Sequence, residues 1–145
     1  MRSEMQLHVR GTQRFEDREP ETIELTTEAT MEEQEGVLYL SYPESELTGL
    51  EGTVTTFEIR LDRVILRRRG TVNQEMEFVE GKTHHSLYRI PEGALMVTVR
   101  TTSLEDKMTL AGGTLRVVYR IELESTAAGE IEYLLTAVPK AEEAV

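Results

Sequence analysis

Gly112-Gly113-Thr114-Leu115-Arg116-Val117-Val118-Tyr119-Arg120-Ile121-Glu122-Leu123 is the stretch that decides the fold class of this chain. Leu115, Val117, Tyr119, Ile121 and Leu123 occupy every second position, with Arg116, Val118, Arg120 and Glu122 between them. Successive side chains of a strand point to opposite faces, so this period of two buries one row and leaves the other to water. A helix would want its apolar residues three and four apart, and no such pattern runs long enough here to rival the alternation. The paired glycines read as the turn into this strand. After Ala127-Ala128-Gly129, read as a second turn, the rhythm returns in Ile131, Tyr133, Leu135 and Ala137.

The same alternation extends toward the N-terminus. Met5, Leu7 and Val9 form one face, and Ile23, Leu25, Thr27, Ala29 and Met31 another. The run from Val37 to Tyr42 closes at Pro43, which has no N–H to give to a central ladder. Thr53, Thr55, Phe57 and Ile59 alternate up to Asp62, where a turn makes a hairpin with Val64 and Leu66. Val72, Gln74, Met76 and Phe78 oppose Asn73, Glu75 and Glu77, and Glu80-Gly81 reads as the turn of a second hairpin into Lys82 to Arg89. Pro91-Glu92-Gly93 breaks the chain before Leu95, Val97, Val99 and Thr101. The chain therefore reads as all-β and antiparallel. Long strands joined by tight turns pair with their neighbours, and a closed or nearly closed up-and-down barrel of about 8–10 strands leaves the fewest open edges. A two-sheet sandwich, with shorter strands and crossing connections, is the alternative.

Length and composition narrow the function classes. A chain of 145 residues fits one domain, 1–145, with a frayed tail over about 139–145. Sixteen Lys and Arg against 27 Asp and Glu leave a net charge of -11, which repels nucleic-acid phosphates and anionic lipid headgroups, so neither is an expected partner. The absence of cysteine excludes disulfides, thiolate catalysis, zinc-thiolate sites and iron–sulfur clusters. Every apolar run is broken too soon to cross a bilayer as a helix, and Met1-Arg2-Ser3-Glu4 does not open a secretory signal. A cytoplasmic location and no cofactor are the expectations.

Tyr42-Pro43-Glu44-Ser45-Glu46-Leu47-Thr48-Gly49-Leu50-Glu51-Gly52-Thr53 is more distinctive than the strands around it, as are Arg68-Arg69-Gly70-Thr71-Val72-Asn73, Met76-Glu77-Phe78, and Ser86-Leu87-Tyr88 ahead of Pro91-Glu92-Gly93. Together they resemble the YwiB-like family of small bacterial proteins, over about Met5 to Val138. The resemblance implies a calycin- or lipocalin-like barrel of about eight to ten strands with an interior cavity. It brings no catalytic residues to carry over. True lipocalins mark the first strand with a Gly-x-Trp motif, and this chain has no Trp.

Arg67-Arg68-Arg69 is the one basic cluster, and on a strand Arg68 faces opposite to its neighbours. Following Val64 and Leu66 inward, it enters the barrel near one end, where its charge must meet Glu44, Glu46 or Glu58, or an anionic ligand. Glu44 and Glu46 flank Ser45 in a turn-prone rim segment, where an acid/base pair is weighed against ordinary solvated carboxylates. His84 and His85 lie on opposite faces and cannot chelate one metal ion, so no metal site is expected. The interior face is read as an apolar surface with sparse polar groups, the mixture a ligand cavity uses. Its candidate ligand-binding residues are Tyr42, Glu44, Glu46, Thr56, Arg68, Met76, Phe78, Tyr88, Thr101 and Tyr119, with Tyr133 on the same face. The leading expectation is a small-molecule-binding barrel for an amphipathic or anionic ligand. The alternatives are a filled barrel that meets a partner or a second copy through Val118, Leu134, Thr136 and Val138, giving a homodimer, and an enzyme working with Glu44, Glu46 and Arg68. An enzyme is the less favoured of these.

Overall fold

The computed structural model describes residues 1–16, 18–123 and 127–140. Ten strands follow one another along the chain: β1 Arg2–Phe15, β2 Glu21–Gln34, β3 Val37–Pro43, β4 Thr53–Ile59, β5 Val64–Gly70, β6 Gln74–Phe78, β7 Thr83–Ile90, β8 Gly93–Thr109, β9 Gly112–Leu123 and β10 Ala127–Pro139. A single 3-10 turn, Glu46–Thr48, interrupts the β3–β4 connection. All ladders are antiparallel in one sheet of order β6-β5-β4-β3-β2-β1-β10-β9-β8-β7. Every pairing joins neighbours in sequence except β1 with β10, which brings the two ends of the chain together. The result is the nearly closed up-and-down barrel that the alternation predicts. No helix among the described residues is long and apolar enough to cross a membrane.

The predicted inward rows are the buried ones. Leu7, Leu40, Phe57, Leu66, Leu115 and Leu135 are fully buried and fill one half of the interior. Burying side chains of this size contributes roughly 1.5–3 kcal/mol each, which is the main force holding the sheet curled. The β4–β5 hairpin across Asp62 forms as read, from Ile59 paired with Val64 up to Thr53 paired with Gly70.

Three local expectations fail. Glu80-Gly81 does not make a hairpin of β6 and β7, which are the two edges of the sheet and are joined by an isolated bridge from Asn73, just before β6, to Arg89 of β7. Asn73 N donates to Arg89 O at 3.0 Å and Arg89 N to Asn73 O at 2.9 Å. The turn is captured by β8 instead: Gly81 N donates to Thr101 O at 2.8 Å, and Thr101 N to Lys82 O at 3.2 Å. The register of β8 against β9 shifts between Thr101 and Ser103, so the barrel seam lies beside a bulge. Gly112-Gly113 is likewise not the turn but the start of β9, because Leu110 and Ala111 make the connection. Ala127-Ala128-Gly129 already belongs to β10 and pairs with β9. Of the tail expected to fray, Lys140 is tied down, its N–H donating to Glu4 O at 3.1 Å and its ammonium to Glu28 at 2.6 Å. The remainder, 141–145, lies outside the described residues.

Two glycines with positive φ separate local strain from crowding. At Gly36, in the two-residue β2–β3 turn, φ is 82° and a Cβ would meet nothing within 4 Å. At Gly113 φ is 138° and a Cβ would land on the Lys107 carbonyl oxygen across the ladder. Gly36→Ala is expected to cost about 1–2 kcal/mol, the backbone strain alone. Gly113→Ala is expected to cost more, above ~2 kcal/mol, because the two strands must also part. Urea denaturation of both variants checks the order.

Candidate functional site

Strand lengths divide the barrel into two halves. β3, β4 and β5 have 7 residues each and β6 has 5, whereas β1 and β2 have 14, β8 has 17, β9 has 12 and β10 has 13. The long strands therefore overshoot the short wall. Above the packed half they enclose a cavity of about 320 Å³. Val9, Leu25, Val97, Ile121 and Ile131 line its apolar side, while Thr48 and Leu50 reach into it from the β3–β4 connection.

The floor of the cavity is aromatic. Tyr42 stacks on Phe57 with ring centroids 6.5 Å apart, Phe57 meets the edge of Tyr133 at 6.4 Å, Tyr133 stacks on Tyr119 at 6.3 Å, and Tyr119 tilts onto Phe78 at 4.8 Å. Tyr42, Tyr133 and Tyr119 face the cavity; Phe57 and Phe78 lie in the packed half beneath. Gly11 makes room for this layer. It is paired with Tyr133 across β1 and β10, and a Cβ there would stand 3.3 Å from the Tyr133 ring.

Arg68 lies at the level where the short strands end, 7% exposed and the only buried Lys or Arg among the described residues. Its Nη1 donates to Gln74 Oε1 at 2.8 Å, across the β5–β6 ladder, and its Nη2 donates to the Tyr133 hydroxyl at 3.0 Å. Its Nε is buried with no hydrogen-bond partner, 3.8 Å from Glu44 Oε2. Glu44 follows Pro43 and is fixed by its own N–H donating to Thr53 O at 2.8 Å. Its carboxylate accepts from Thr55 Oγ1 at 2.7 Å and from Thr48 Oγ1 at 3.4 Å. Glu44 is thus the carboxylate that Arg68 meets. Burial works against the guanidinium charge, but the oxygens of Tyr133, Tyr119 and Tyr42 and the Glu44 carboxylate outweigh it and push its pKa up. Arg68 stays charged.

Of the ten candidates, Tyr42, Glu44, Arg68, Met76, Tyr88 and Tyr119 border the cavity. Phe78 is buried below the aromatic floor, and Thr101 is buried away from the cavity, its hydroxyl without a partner. Glu46 is exposed in the first turn of the 3-10 segment. Thr56 stands on the outer face, its hydroxyl 2.8 Å from Ser41, because the inward row of β4 is Thr53, Thr55, Phe57 and Ile59. Glu58, the other carboxylate considered for Arg68, also faces outward and binds Arg60 and Arg67. Arg69 and Arg67 both lie near Glu75, so the basic triplet is neutralised on the outside and divided across the wall. His84 is half-buried and His85 exposed, with Nδ1 of His85 3.0 Å from Thr98 Oγ1. Among the described residues no group of three or more His, Cys, Asp or Glu could hold a metal ion. Of the outer apolar group, Val118 is buried, Leu134 and Thr136 are half-buried and Val138 is exposed. Sequence reasoning missed Thr55, Gln74 and Gly11. The inward row of β4 identifies Thr55 as soon as Phe57 is placed inside, and the alternation of Gln74 with Met76 and Phe78 does the same for Gln74.

A family model described as Domain of unknown function (DUF1934) matches residues 7–135. Among solved structures, the crystal structure of ywiB protein from Bacillus subtilis matches with a TM-score of 0.80 at 21% identity, covering 93% of this chain and 92% of that one. At that identity the likeness concerns the fold, a barrel of the kind described above. No curated protein matches the chain.

Two predictions follow from the charges and phenols of this layer. Arg68→Met leaves Glu44 buried beside no cation and is expected to cost about 3–5 kcal/mol, most of it recovered in the Arg68→Met/Glu44→Gln double variant. Strict additivity in urea denaturation would show that the two do not form one unit. Burial raises the Tyr42 pKa well above the ordinary value, with the Glu44 charge adding to it, and burial next to Tyr133 does the same for Tyr119. The unfolded chain loses these protons near pH ~10 while the fold retains them, so their contribution is complete below that pH and is lost as pH rises beyond it. The melting temperature is expected to fall above pH ~10, and less steeply in Tyr42→Phe/Tyr119→Phe.

Proposed function

Because this chain belongs to the DUF1934 family, whose description assigns no activity, we propose its function from the cavity: a small-molecule-binding barrel that takes an amphipathic or anionic guest into its open half. One observation carries this. The interior is filled below the aromatic floor and unfilled above it, and the one buried cation among the described residues borders the unfilled part. A barrel built only as a scaffold has no use for that division, since small barrels can fill themselves with their own side chains.

The division also sets how a guest lies. Its polar end meets Arg68, Gln74 and the hydroxyls of Tyr133 and Tyr119, and its apolar body runs along Val9, Leu25, Val97 and Ile131 toward the rim. Sparse polar groups at one end of an apolar chamber fix orientation, while the apolar walls supply most of the affinity. Catalysis has less support. Glu46 points to solvent, and Glu44 is engaged by two threonine hydroxyls beside Arg68, leaving no acid/base pair of carboxylates.

Native mass spectrometry of freshly purified protein, with a thermal-shift panel of amphipathic acids, alcohols and amino acids, tests the proposal. A retained guest mass is expected, or a rise in melting temperature of several degrees, since a ligand at a hundredfold excess over its Kd adds about 2.7 kcal/mol. An empty barrel together with a flat panel would overturn it.

A further inference from the structure

Among the described residues, the only charged ones bordering the cavity are Arg68 and Glu44, one of each sign. They are neighbours without being a tight ion pair. Arg68 Nε and Glu44 Oε2 are 3.8 Å apart, beyond hydrogen-bond reach, whereas a committed guanidinium–carboxylate fork closes to about 2.7–2.9 Å. Each charge is instead held by neutral groups, the cation by Gln74 and Tyr133 and the anion by Thr55 and Thr48. Arg68 keeps N–H donors in reserve, Nε among them with no hydrogen bond. Glu44 keeps lone pairs, since each carboxylate oxygen can accept more than the one hydroxyl it now has. The polar end of the cavity offers donors on one side and acceptors on the other.

Charge balance then selects the guest. The pair sums to zero, so a simple anion placed on Arg68 adds an uncompensated negative charge beside Glu44 in a poorly solvated chamber. A simple cation placed on Glu44 adds the opposite one beside Arg68. Either penalty is large at low dielectric. A guest with one charge of each sign adds none. The whole-protein charge of -11 acts on one side of this choice, repelling simple anions from the rim and leaving a zwitterion almost unaffected, while Arg68 opposes a simple cation inside.

We propose that the guest is a zwitterion of the α-amino acid class with an apolar side chain, its carboxylate on Arg68 and its ammonium on Glu44. This rests on the binding-barrel reading above and narrows it. The size agrees: about 320 Å³ holds on the order of ten water volumes, room for the backbone atoms of one amino acid and a large apolar side chain. Such a side chain would lie against Leu25, Val97 and Ile131, with the ring of Tyr119 beneath.

Isothermal titration with three probes that share one apolar body decides the matter: phenylalanine with both charges, 3-phenylpropionate with the carboxylate alone and phenethylamine with the ammonium alone. Phenylalanine is expected to bind at least tenfold tighter than either of the others. In Glu44→Gln, which keeps the shape of the side chain, phenylalanine is expected to lose at least tenfold and 3-phenylpropionate to gain. Binding of 3-phenylpropionate to the unaltered protein as tight as that of phenylalanine would overturn the zwitterion assignment and leave the binding barrel standing. Silence from all three probes overturns the assignment too, and the binding barrel falls with it only where native mass spectrometry also finds no guest.

Discussion

A guanidinium inside an apolar barrel must be compensated, and the open half of this molecule is organised by that requirement. Arg68 draws on the residue that follows β3 through Glu44, on β6 through Gln74 and on β10 through Tyr133, so one side chain ties together segments that are not neighbours in the sheet. The contact with Tyr133 is the longest in sequence, 65 residues, and it crosses the interior from the short wall to the long one. Removing any one of these partners leaves a buried polar group short of a bond, which costs more than the bond contributes when intact. The layer therefore behaves as a unit.

The cavity follows from a mismatch in strand length more than from any single residue. Five strands of 12 or more residues share a sheet with four of 7 or fewer, and the short ones end where Arg68, Glu44 and Thr53 lie. Beyond that level, among the described residues, the long strands face the β3–β4 connection, which supplies Thr48 and Leu50, and Tyr88 of β7. Apolar residues such as Ile23, Ile121 and Leu123 are then left facing space. Packing density in protein interiors normally forbids such voids, so a chamber of this size on the inside of a well-packed barrel is a feature of the design and not slack in it.

Much of the fold could be read from alternation, because a period of two assigns every residue of a strand to a face once a single one is placed. Leu115 to Leu123, Met5 to Val9 and Val64 to Arg68 all follow that rule, and Arg68 lies inside because it stands two residues on from Leu66. The rule holds at Thr56 as well, which sits on the row of Glu58 and faces out with it while Thr55 takes the inward place, so an interior place for Thr56 runs against the alternation. Other failures had no local signal. Whether Glu80-Gly81 joins β6 to β7 or bends toward β8 depends on Thr101, some twenty residues on, and a turn sequence carries no information about that. The YwiB-like resemblance, by contrast, was carried by irregular segments such as Pro43 to Gly52, where the chain departs from alternation and individual residues are set by individual contacts. Glu44 is an example: its place follows from Pro43 ending β3 and from Thr53 capturing its N–H.

The polar layer also bears on why the barrel retains it. A buried ion pair is weak evidence of stability, since well-packed apolar residues of similar volume often do as well or better. Here the alternative is close at hand, because Leu40, Phe57 and Leu66 already pack the level below and more of the same would close the chamber. Keeping Arg68, Glu44, Gln74 and three tyrosines at the floor instead gives up some of that packing. In return it leaves a surface whose donors and acceptors are held by neutral neighbours in fixed positions. Preorganisation of this kind lowers the ordering cost of binding, which is what supports the proposed guest. The tyrosines serve both ends of that arrangement: their rings continue the hydrophobic stack of Phe57 and Phe78 downward, and the hydroxyl of Tyr133 meets Arg68 at the cavity. A leucine or phenylalanine at position 133 could do only the first, which is why the change from packed core to polar floor occurs within single side chains.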